Sequence, residues 1–156
     1  MQTRSSRNRI RVLVFVGFLT IATTAFAQAA ASDQGGSHCS NRTLSGNYGF
    51  SAQGQVFPPP PTPPAPFTST GMANFNGNGT VSWVEHTVIA GQQQGADWTA
   101  SISGTYAVNS DCTGSMVIVT PNSPVPLNIF FSIVQQGKQF YSVVNGHAIS
   151  GAWTRR

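Results

Sequence analysis

The chain has 156 residues, of which 8% are charged, with 8 Lys and Arg against 4 Asp and Glu and a formal net charge of +4. Half of the basic residues (Arg4, Arg7, Arg9 and Arg11) stand before Val12, so everything after them balances its charges and carries no basic stripe. That excludes a nucleic-acid binder built on phosphate contacts. The surface must instead draw its polarity from Ser, Thr, Asn and Gln, a composition that names no substrate.

The four arginines form a positive region without an acid. Residues 12–22 (VLVFVGFLTIA) follow as an apolar run, and Ala25-Phe26-Ala27 supplies a small-x-small cleavage pattern. A signal peptide over 1–27 is expected, cut after Ala27, with Ala29 as the alternative. The run is shorter than the ~20 residues needed to cross a bilayer. No arginine pair marks a twin-arginine route, and Gly36-Ser37-His38-Cys39 lacks the apolar residues that precede a lipid-modified cysteine. The expected destination is therefore periplasmic or extracellular, with no membrane span in the mature chain. Residues 28–43 read as a disordered lead-in carrying Cys39, and 44–156 as one domain.

From Leu44 onward the apolar residues alternate with period two. Trp98 to Val108 is the clearest stretch, with Trp98, Ala100, Ile102, Gly104, Tyr106 and Val108 on one face and Thr99, Ser101, Ser103 and Thr105 on the other. Seven more strands are expected at Leu44–Gln53, Ser69–Phe75, Thr80–Ile89, Ser115–Thr120, Leu127–Gln135, Gln139–Val144 and Ala148–Thr154. Asn76-Gly77-Asn78-Gly79, Gln136-Gly137-Lys138 and Asn145-Gly146 are turn sequences, and Asp111 to Gly114 opens on Asp and closes on Gly. Eight strands joined mainly by tight turns predict an all-β, eight-stranded antiparallel up-and-down barrel, with a two-sheet β-sandwich as the alternative. Leu44-Ser45-Gly46-x-Tyr48, Ile102-Ser103-Gly104-x-Tyr106 and Ile149-Ser150-Gly151-x-Trp153 repeat one strand pattern, whose glycine leaves room for a ring or a bend.

Residues 57–67 form a proline-rich loop between the first two strands, extended and stiff, with Phe57 and Phe67 placed to pin its ends. Its functional readings are a ligand for proline-reading grooves or a lid over a barrel mouth. The two cysteines, Cys39 and Cys112, predict a disulfide in an oxidising compartment.

Chemistry is sparse. Glu85 and His86 are adjacent in a strand and point to opposite faces. No H-x-H, H-E-x-x-H, G-x-S-x-G or phosphate-loop pattern occurs, so no catalytic residue, metal or cofactor is expected. Glu85 shares a face with Trp83, and His147 with Trp153. If polar groups lie inside the barrel, these four together with Tyr106 are the candidate ligand-binding residues.

The early Cys39, Leu44 to Phe50 (LSGNYGF), Phe75 to Gly79 (FNGNG) and above all Gly104 to Gly114 (GTYAVNSDCTG) resemble an uncharacterised family of exported, mainly soil-bacterial β-barrel proteins. The likeness covers nearly the whole mature chain and implies an architecture similar to calycin-like and allene-oxide-cyclase-like barrels, but no activity. Lipocalin-type barrels place Gly-x-Trp on the first strand and cover that ring with a late Arg. Gly46-Asn47-Tyr48 and Arg155 stand in comparable places, without the tryptophan, which implies barrel closure more than a ligand.

The leading expectation is an exported, non-enzymatic barrel that binds a small apolar molecule. The alternatives are a structural or protein-interaction module of the cell envelope that uses the proline-rich loop, and a cyclase- or isomerase-like barrel enzyme.

Overall fold

The computed structural model describes residues 38–156. The expected signal peptide, and the lead-in as far as Ser37, lie outside the described residues. The described chain is almost entirely β, as alternation predicts. Its strands are β1 (Ser45–Val56), β2 (Ala65–Asn76), β3 (Val81–Ile89), β4 (Gln92–Gln93), β5 (Thr99–Ala100), β6 (Ser103–Val108), β7 (Thr113–Val119), β8 (Leu127–Val134), β9 (Gln139–Val144) and β10 (Ala148–Arg155).

All belong to one antiparallel sheet of 10 strands, ordered β4-β3-β2-β1-β10-β9-β8-β7-β6, with β5 on β3. One continuous sheet replaces the two-sheet alternative. The eight expected strands become ten because β4 is a two-residue addition and the expected strand Trp98–Val108 splits into β5, paired with β3, and β6, paired with β7.

The sheet curls into a half-barrel. β1 pairs with β10 from Tyr48↔Arg155 to Gln55↔Ala148, joining the first strand to the last. Toward the two ends of the order, Thr80, just before β3, bridges to Thr105 of β6, and the Tyr106 amide donates to Gly79 O at 2.8 Å. Curling buries the inward parity of the longer strands.

One stretch departs from the alternation. Thr99 is buried, whereas Trp98 and Ile102 are 60% and 68% exposed. The cause is at Ser101, which meets Trp83 twice. Its amide donates to Trp83 O (2.9 Å), and its hydroxyl accepts from the Trp83 amide (3.0 Å). A side chain thus takes a ladder position, and the chain then passes to β7, where the Ile102 amide donates to Val119 O (2.8 Å). Ile102 and Ser103 both face outward, so every side chain from Ile102 back turns over relative to the expected parity. Ile102 therefore does not share the inward face that Leu44 and Ile149 occupy in the other two copies of the repeated pattern.

The proline-rich loop is shorter than expected, because Ala65, Pro66 and Phe67 already belong to β2, with Pro66 opposite Gln55. Proline has no amide hydrogen to donate, but its carbonyl accepts from Ala90 at 2.8 Å, which suffices near a strand end.

The end of the expected lead-in is ordered rather than disordered. Cys39 is bonded to Cys112 across a separation of 73 residues, with the Cα atoms 5.0 Å apart. Asn41 then docks on β6, its Oδ1 accepting from the Val108 amide at 2.8 Å. Among the described residues no helix is long and apolar enough to cross a membrane.

The core fills one end and the middle of the curl. Trp153 stacks on Phe50 (4.3 Å between centroids) and on Phe140 (4.9 Å), and Phe75 meets Tyr48 and Tyr106 edge-on at 5.2 and 5.1 Å. Arg155 seals that end. Its Nε donates to the Tyr48 hydroxyl (3.0 Å), its guanidinium lies 5.4 Å from the ring centroid, and Nη2 donates to Thr43 O at 2.7 Å.

Candidate functional site

At the opposite end the inward face changes character. Where the other layers carry rings, the last turns of several strands present Ser69, Thr87 and Thr120, all buried, around Glu85, which is 6% exposed. β3 supplies Glu85 and Thr87, and its neighbour β2 supplies Ser69 directly opposite Thr87. Thr120 follows the end of β7.

The hydroxyls point at the carboxyl. Thr87 Oγ1 donates to Ser69 Oγ (3.0 Å), Ser69 donates to Glu85 Oε2 (3.2 Å), and Thr120 donates to Oε1 (3.4 Å). Gly71, opposite Glu85, stands where no side chain fits, since a Cβ there would meet the Val84 carbonyl and the Phe50 ring.

This cluster floors a cavity of about 190 Å³ at the mouth of the half-barrel. Its apolar wall includes Val56, Phe67, Ile89, Leu127, Val144 and Ile149, and Gln94, Asn122 and His147 stand at the rim. Two loops meet across the mouth, where Asn122 Nδ2 donates to Gln94 O at 3.3 Å. His147 Nδ1 accepts from the Phe57 amide at 3.1 Å, which ties the start of the proline-rich loop to the same rim. The other end of that loop enters the wall through Phe67. A larger hollow of about 710 Å³ lies on the outer face of β1 and β7 to β10, among exposed side chains such as Phe130, Tyr141 and Val143. It holds no ionisable group apart from the Tyr141 phenol, so of these two the smaller cavity is the better chemical candidate.

Two of the five expected ligand-binding residues, Glu85 and His147, line the cavity. The other three share their face but lie deeper in the core. Trp83 is stacked near Trp153 (5.9 Å), and its Nε1 is a buried donor without a partner among the described residues. The Tyr106 hydroxyl is committed to Leu44 O (2.7 Å) and Asn41 O (3.0 Å), and Trp153 Nε1 to Ser142 Oγ (2.9 Å). Ser69, Thr87 and Thr120 were not singled out by sequence. The available signal was a switch from rings to hydroxyls at one end of the inward parity in β2 and β3.

Burial drives the Glu85 carboxyl above the ordinary glutamate range, and the hydrogen bonds from Ser69, Thr87 and Thr120 pull the other way without cancelling it. The folded chain therefore holds this proton more tightly than the unfolded one. The resulting stability is fully present below the ordinary glutamate pKa and is lost as pH rises through the raised value. In thermal melts over a pH series, the wild type is expected to lose Tm relative to Glu85→Gln across that window. Parallel curves would contradict the shift.

Among the described residues no group of three or more His, Cys, Asp or Glu is placed to hold a metal ion. Compared with protein-family models, with curated proteins and with solved structures, the chain finds no significant match in any of the three.

Proposed function

We propose that this protein binds a small, largely apolar molecule, without turning it over, in the cavity at the mouth of its half-barrel. The observation that carries this reading is a concave space with apolar walls that converges on one buried ionisable group, the arrangement typical of small-molecule sites. At about 190 Å³ it falls below the ~300 Å³ where drug-sized sites begin, so the ligand is small. The disulfide is compatible with an oxidising compartment. We extend this to an exported protein acting in the periplasm or outside the cell.

Native mass spectrometry of the protein purified gently from its natural host tests the reading. A reproducible non-covalent adduct is expected, and it should disappear in Val144→Phe, whose ring enters the cavity from the end of β9. An adduct of unchanged occupancy in that variant, or a bare protein mass in both, would sink the proposal.

A further inference from the structure

Resting on that binding function, the geometry points to a narrower ligand class: a small organic cation, an alkyl or single-ring body ending in a protonated amine that meets Glu85. Both carboxyl oxygens accept hydrogen bonds, Oε2 from Ser69 and Oε1 from Thr120, and the Thr87 hydroxyl donates in turn to Ser69 Oγ. The hydroxyls are thus polarised toward an acceptor, which is how a carboxylate is solvated. All of these donors are neutral. The side chains facing Glu85 from the strands beside it are Ser69 on β2 and Thr99 on β5, and neither carries charge.

His147 is the other titratable group on the cavity wall, and the bond it accepts at Nδ1 from Phe57 is one that the neutral ring makes. A buried carboxylate surrounded only by neutral donors is costly, and an ammonium brought by a ligand offsets that cost in a medium where charges are weakly screened. Charge-assisted hydrogen bonds are about twice as strong as neutral ones, so an alcohol of the same shape gains less. A carboxylate ligand is repelled. The walls of Val56, Phe67, Ile89, Leu127 and Ile149 receive the apolar body, and the small volume excludes a long lipid chain.

Isothermal titration calorimetry of the purified, disulfide-bonded protein with hexylamine, 1-hexanol and hexanoate tests this at about pH 8, where alkylamines remain protonated. Hexylamine is expected to bind at least about tenfold more tightly than 1-hexanol, the size of one charge-assisted hydrogen bond. Hexanoate should be the weakest of the three. Glu85→Gln should bring the amine down to about the level of the alcohol. An alcohol that binds the wild type as tightly as the amine overturns the cation inference and leaves the binding cavity standing. Failure of all three probes to bind overturns both. The wild-type comparison decides on its own, so a Glu85→Gln chain that did not fold would not shield the inference.

Discussion

Truncating Trp153 to alanine should cost about 4 kcal/mol of folding stability, the usual range for removing a large buried ring. The side chain is 2% exposed and touches rings on three sides: Phe50 at 4.3 Å, Phe140 at 4.9 Å and Trp83 at 5.9 Å. No neighbour is free to collapse into the gap, because Phe50 and Trp83 are themselves held in strands paired on both sides. The same change also strips the Ser142 hydroxyl of its donor partner. Trp98→Ala is the matched control. That ring is 60% exposed beside His86 (6.1 Å between centroids), and its loss should shift stability by less than about 0.5 kcal/mol. Urea titrations of the two variants read the difference directly. A Trp153→Ala loss under about 1.5 kcal/mol would mean that the aromatic stack is not the core.

Replacing Cys39 and Cys112 together by serine should lower stability by about 4 kcal/mol in the chain-entropy account. The bridge closes a separation of 73 residues, long enough for a large restriction of the unfolded chain. The folded partners remain in place without it, since Asn41 still accepts from the Val108 amide and the Tyr106 hydroxyl still donates to Leu44 O. The double variant should therefore reach the same fold at lower stability, seen as an earlier urea midpoint with unchanged far-ultraviolet circular dichroism. A loss below about 1 kcal/mol would show that the reduced, unfolded chain is already constrained near these residues.

Much of the fold was legible because a half-buried strand leaves a period-two record in its side chains, and because tight hairpins need residues that tolerate positive φ. The face of Trp98 and Ile102 was not legible. It turns on one serine hydroxyl that replaces a backbone group in the ladder, and hydroxyls at ordinary exposed positions look identical in sequence. Pro66 concealed the start of β2 in the same way, by resembling the loop prolines before it. For the site, alternation identified the inward face correctly for Glu85, His147, Trp83 and Trp153, but it carries no information on depth. Two of those four line the cavity and two fill the core below it. The rim formed by Gln94 and Asn122 lies in irregular chain, where no period exists to read.

The pairing of β1 with β10 also sets a condition on when the protein can fold. Phe50 waits for Trp153, and the Tyr48 hydroxyl waits for Gly137 and Arg155, so the centre of the core is assembled from the two ends of the strand succession. No partial length of chain emerging in order from β1 can complete it, and such long-range closure makes for slow folding with exposed strands in the meantime. Maturation of this domain is therefore a single late event that awaits β10, and a truncation of only its last strand should be as damaging as the loss of its first.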